Sequence, residues 1–178
     1  MSDLSRIERL SNLTYWATVV LTYVLPLLVF VTVLRGWLRP ETILQAYPQI
    51  APQTEVSALQ ASLAAIVALV AVLPLIGAFL AMTSLFSRYR RGEILSDGCA
   101  EDILRIGRAM LFLAAATLLV PTIQLLILSW SSPPGHRILQ LGIDSGTLGF
   151  LMSAGLLFLI GWVMREAARI KAENEGFV

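Results

Sequence analysis

Four stretches of this chain, 13–34, 58–86, 109–130 and 147–164, are apolar over most of their length, and none has an Asp, Glu, Lys, Arg or His in its central part. A helix needs about 20 such residues to cross the hydrocarbon core of a bilayer. Water does not reach that core, so each backbone donor and acceptor must pair within its own segment, which selects helices. Composition agrees: 57% of residues are hydrophobic and 14% charged, against roughly 25% charged in ordinary soluble domains. The mean hydropathy is +0.76. The expected fold is an all-α membrane protein, with four transmembrane helices in an antiparallel up-down bundle. It forms a single integral membrane domain over 1–178, with no internal repeat or linker.

The first run is preceded by a short amphipathic lead with Arg6 and Arg9. It is longer than the ~7–15 apolar residues of a signal peptide, so it reads as a retained helix. Tyr15, Trp16 and Trp37 stand where amphipathic rings favour headgroups, and Pro26 is placed to kink its middle. Segment 36–57, with Pro40, Pro48 and Pro52, is a loop with room for a short helix or strand within 41–47. The second run contains Pro74 and Gly77 and should continue as helix to Tyr89 or Arg90. Gly92 is a natural stop, and Ser96 or Asp97 can cap a new helix. Ile103, Ile106 and Met110 follow at helical spacing, so 87–108 is expected to be a helical hairpin closed by a tight link over 92–96. The third run holds Pro121 and Gln124. Segment 131–146 is a loop with Pro133, Pro134 and His136 and a short strand within 138–143. The fourth run should extend as helix towards Glu173.

Charge between the runs sets the orientation. The N-terminal tail has two basic residues, segment 87–108 has five (Arg88, Arg90, Arg91, Arg105, Arg108), and the C-terminal tail has three (Arg165, Arg169, Lys171). The two other loops together have three: Arg35, Arg39 and Arg137. Short loops rich in Lys and Arg stay cytoplasmic, so both termini and the hairpin are expected in the cytoplasm. Small residues allow helices to approach closely in lipid. Ala61, Ala64, Ala65, Ala68 and Ala71 supply such a face on the second helix. Ala114, Ala115 and Ala116 do so on the third, and Ser153, Ala154, Gly155 and Gly161 on the fourth. The first helix is bulkier and expected to be the most lipid-exposed.

Little in the sequence carries chemistry. Ionisable residues inside spans mark proton and ion pathways, and here they are lacking. Gln124, the most polar deep residue, is better read as a bond between helices than as the wall of a pathway. The single histidine, His136, lies in a loop without the companions that a metal or haem site needs. Cys99 is the only cysteine and reads as a spectator thiol. No phosphate-binding glycine loop or hydrolase set is present. The expectation is a non-enzyme with no cofactor, no metal and no direct contact with nucleic acid, because the hairpin's acidic residues repel phosphate.

The hairpin has two readings. Its arginines set topology and bind anionic lipid headgroups, at roughly 1 kcal/mol each. Alternatively, Glu93, Asp97, Glu101 and Asp102, interleaved with arginines, form a docking face for a soluble protein. The C-terminal REAARIKAENEGFV adds Glu166–Arg169 and Arg169–Glu173 pairs at helical spacing and an apolar finish at Phe177 and Val178.

Two segments, LFSRYRRGEILSDGCAEDILRIG and the ending REAARIKAENEGFV, resemble a family of small bacterial membrane proteins known as domain of unknown function 2975. Phe86, Arg90, Gly92, Leu104 and Gly107 fall where that resemblance expects them. It implies four helices in the bacterial inner membrane and no established activity. Because such proteins are often encoded beside small helix-turn-helix regulators, it also implies a membrane partner for a transcription factor. The expected function is binding of a cytosolic regulator through Arg88, Arg90, Arg91, Glu93, Arg105, Arg108, Arg169, Glu173 and Phe177. The alternative is an accessory or structural subunit of a larger membrane complex; a small transporter or channel would need a polar path that the runs lack.

Overall fold

A computed structural model describes residues 3–39, 47–48, 50, 56–131 and 142–175, with the side chains of 3–11 and 175 excepted. Among them there is no strand. The helices are α1 (Asp3–Leu38), α2 (Ala58–Val70), α3 (Val72–Arg90), α4 (Asp97–Leu128), a 3-10 turn at Ser129–Ser131, and α5 (Ser145–Glu175). The short elements expected within 41–47 and 138–143 fall on residues outside this set, apart from Tyr47, Gly142 and Ile143. His136 and Phe177 also lie outside it.

Four stretches are long and apolar enough to cross a membrane: Asn12–Leu38, Ala58–Arg90, Asp97–Ser131 and Ser145–Asn174. The chain is a multi-pass membrane protein. Each spanning stretch is longer than the apolar run inside it, because polar residues beyond the hydrocarbon still propagate a helix. The lead before the first run joins α1 without a break. Pro26 and Pro121 are accommodated inside α1 and α4. The second span is interrupted once, at Ala71 between α2 and α3. Pro74 has no N–H to give the carbonyl of Val70, so the helical ladder loses a rung just there.

Packing proceeds in a row. α1 lies against α2 and α3, these lie against α4, and α4 lies against α5; among the described residues α1 and α5 share no extended interface. Within its most apolar window α1 is only 6% buried, consistent with its bulky, lipid-exposed character. On α2, Ala61 and Ala64 are buried as expected, and the small side chain of Ala64 admits Leu125 and Leu128 of α4. The small-residue faces of α4 and α5 are narrower than the sequence implied. Ala115, Ser153 and Gly155 are exposed, whereas Ala114, Ala154 and Gly161 are buried. A helix turns only one of several neighbouring small residues towards its partner.

Caps and polar bonds fix the ends. Ser57 forms a reciprocal capping box with Gln60 at the start of α2, and the Gln60 amide reaches the carbonyl of Ile127 at 3.0 Å. Gln124 does bridge helices: its Nε2 donates to the Ala64 carbonyl at 3.0 Å, and its Oε1 accepts from Tyr47 Oη at 2.6 Å. Burial pushes the Tyr47 phenol above its ordinary value, so it stays a neutral donor. Asp144 caps α5 by accepting from the N–H and hydroxyl of Thr147, both at 2.7 Å. The bond from the Thr147 backbone, followed by that from its hydroxyl, holds the Asp144 carboxyl below its ordinary range.

At the other end of the seam Gly92 has φ +77°. Its N–H bonds to Tyr89 O and the Glu93 N–H reaches back to Arg88 O, at 3.1 Å each. This is the double closure that a left-handed residue allows after a helix. A side chain there is strained, so Gly92→Ala is expected to destabilise the fold by about 1 kcal/mol. Unfolding by SDS titration in detergent micelles reads this directly; an unshifted midpoint would mean that the link does not need the left-handed turn.

Candidate functional site: a buried carboxylate under the arginine-rich link

Residues 84–108 fold into the most polar cluster among the described residues. α3 ends at Arg90, the link turns at Gly92, and the Ser96 hydroxyl caps α4 by accepting from Cys99 N at 3.3 Å. Cys99, Ile103 and Ile106 pack with Ala81 and Leu85, and Tyr89, Met110, Leu157 and Met164 lie around them. The spacing of Ile103, Ile106 and Met110 therefore did mark the face turned to α3. Met164 and Leu157 place α5 against the same cluster.

Asp102 shares that inward face, three residues after Cys99, and it is 1% exposed. Its Oδ2 accepts from Ser84 Oγ at 2.7 Å and from Arg88 Nε at 3.0 Å. Its Oδ1 lies 3.6 Å from Arg105 Nη1. A buried carboxylate this close to two guanidiniums is paired as well as hydrogen-bonded, the condition under which an interior charge is tolerated. Arg88 extends the network outward to Glu93 at 3.4 Å, and Arg91 meets the same carboxylate at 3.3 Å. Arg105 also takes Glu101 at 2.6 Å.

The Arg88 guanidinium lies over Gly98, where an added Cβ would overlap it. The Cys99 thiol donates to the Glu93 carbonyl at 2.8 Å and is fully buried. It is part of the link's internal bonding, which the reading as a spectator did not anticipate.

The expected docking face is thus divided. Asp102, expected on the surface beside Glu93, Asp97 and Glu101, is inside. Arg88, Arg105 and Glu93 are partly committed to holding the link together. Arg90 lies over the ring of Tyr15 on α1, 4.7 Å from its centroid. Arg91, Ile94 and Leu95 remain exposed on the link. Arg108 is exposed one turn beyond Arg105. On α5, Arg169 pairs with Glu166 at 2.6 Å and with Glu173 at 3.7 Å, as the spacing foresaw; Phe177 is not among the described residues. Ser84 was missed, although Ser84 and Arg88 at i,i+4 opposite an acidic residue on an inward stripe was a legible signal.

Among the described residues no group of three or more His, Cys, Asp or Glu is arranged to hold a metal ion.

The family model described as a protein of unknown function (DUF2975) matches residues 15–177. The chain belongs to the DUF2975 family. That match takes in all four spans, the arginine-rich link and the α5 tail together. No curated protein and no solved structure matches this DUF2975 chain.

Proposed function

We propose that this DUF2975 protein is a non-enzymatic docking protein of the bacterial inner membrane, with the α3–α4 link as its cytosolic platform. Successive spans run antiparallel and both termini share the cytoplasmic side with the link. Two contacts support that arrangement: Tyr15 near the start of α1 meets Arg90 at the end of α3, and Met164 late in α5 packs against the cluster that holds Cys99 and Ile103 of α4. The basic residues concentrate at the same end, which the positive-inside rule assigns to the cytoplasm.

The observation that carries the docking reading is the locked presentation of Ile94 and Leu95. They are 36% and 45% exposed between charged neighbours, on a backbone closed at Gly92, Ser96 and Cys99 and underpinned by Asp102. A rigid apolar pair within a charged rim gives a soluble partner both an anchor and an orientation, with little ordering cost on binding. The partner class that fits is a cytosolic protein such as a small helix-turn-helix regulator.

The test is co-purification from native membranes by the wild type and by Arg91→Gln/Ile94→Ser/Leu95→Ser, which leaves the Asp102 network intact. The wild type is expected to hold a stoichiometric cytosolic DNA-binding protein, and the variant to lose it by about tenfold or more, the effect of removing an apolar anchor. Equal recovery by both forms overturns the assignment.

A further inference from the structure

Two adjoining cavities run along the outer seam where α2 and α3 meet α4. One, about 500 Å³, is lined by Pro74, Gly77, Leu80, Arg105, Arg108 and Phe112 among others. The next, about 570 Å³, shares Pro74 and Phe112 with it, continues past Ala116 to Ile123, and has no charged residue in its walls. Leu73, Leu80 and Phe112 are each more than half exposed along this seam. From Arg108 to Ile123 the groove follows α4 for about 22 Å, at about 1.5 Å per residue, a large part of a ~30 Å hydrocarbon core.

Its two ends differ in chemistry. Arg105 is shared with Glu101 and Asp102, whereas Arg108 has no ion pair or hydrogen bond with any described residue. Gly77 opens the wall near the same end. A Cβ added there would meet nothing within 4 Å, so no neighbour in the chain requires a glycine that costs its helix about 1 kcal/mol relative to alanine. The notch is open to an occupant from outside.

We propose that this groove holds one anionic glycerophospholipid, with its phosphate at Arg105 and Arg108 and an acyl chain along Phe112, Ala116 and Ile123. Charge complementarity selects the occupant: an amphiphile with a single anionic head matches a groove that is cationic at one end and apolar elsewhere. The inference needs only that the seam face lipid, and it is independent of protein docking at the link.

The experiment is native mass spectrometry of the full chain released from nanodiscs containing equal phosphatidylglycerol and phosphatidylcholine. The wild type is expected to retain phosphatidylglycerol about fivefold over phosphatidylcholine, the ratio that one arginine near an anionic lipid supplies. Arg108→Gln, which spares the Asp102 network, brings the ratio to about one. Gly77→Leu puts a side chain into the notch, where its Cβ meets nothing within 4 Å, and lowers retention of both lipids, with thermal unfolding confirming that the variant is folded. Equal retention of the two lipids by the wild type overturns the proposal, as does an undiminished preference in Arg108→Gln. Unchanged retention in Gly77→Leu, or a second copy of the chain in place of lipid, does the same.

Discussion

Replacing Asp102 by alanine is expected to destabilise the protein by about 1–3 kcal/mol, the cost of leaving buried donors without their acceptor. The carboxylate is 1% exposed and receives Ser84 and Arg88 directly, with Arg105 close by. Its removal leaves the Ser84 hydroxyl and the Nε of Arg88 without their acceptor, while the outer end of Arg88 keeps Glu93 at 3.4 Å. Such a loss exceeds the net value of the bonds themselves, because the surviving partners keep their desolvation cost. The pairing can therefore be separated from mere filling of space. Arg88→Met/Asp102→Leu removes both charges and should restore most of the stability lost by Asp102→Ala, since apolar replacement of a whole buried pair is often neutral. SDS-induced unfolding of the three proteins gives the comparison. A cost below about 1 kcal/mol for Asp102→Ala, in the range of an exposed pair, would show that the network is a surface feature.

The second large effect belongs to the contact between α4 and α5. Gly161 lies so close to α4 that an added Cβ would come within 2.7 Å of Leu104 Cγ and Cδ2. Gly107, on the facing helix, would place its own Cβ 3.3 Å from that of Leu157. Overpacking a closely fitted site costs about 1–3 kcal/mol, and Gly161→Ala falls in that range here because the whole of Leu104 must shift. α5 has its main packing against α4, so this loss loosens the entire helix. The obstruction is one side chain. In a Leu104→Ala background, Gly161→Ala should therefore cost little, a coupling of the size found for residues in contact. An equal cost of Gly161→Ala in both backgrounds would place the strain elsewhere.

Much of the architecture is legible in the chain. The four apolar runs, the stop at Gly92, the Ser96 cap and the inward spacing of Ile103, Ile106 and Met110 are local features, set by backbone sterics and by helical period. Gln124 as a bridge between helices was legible for a related reason, since a polar group deep in an apolar run must find a partner nearby. Less was legible about the polar cluster. Counting charges along 87–108 treats Asp102 like Glu101, yet one is buried and the other is half exposed on the surface. The small-residue stripe on α5 was similarly over-read, because adjacent residues such as Ala154 and Gly155 point to different sides of one helix.

Hydropathy and local stereochemistry thus determined that this chain makes helices long enough to span, where they stop, and which residues begin them. The third dimension alone decided that Asp102 lies inside with Arg88, that Gly161 and Leu104 meet, and that the helices pack in a row which leaves an arginine-headed groove open to the outside. The reason is physical. Segment length and backbone hydrogen bonding act within a few residues, whereas pairing of a buried charge and close contact of two helices depend on groups 14 or more residues apart that only the packed fold brings together.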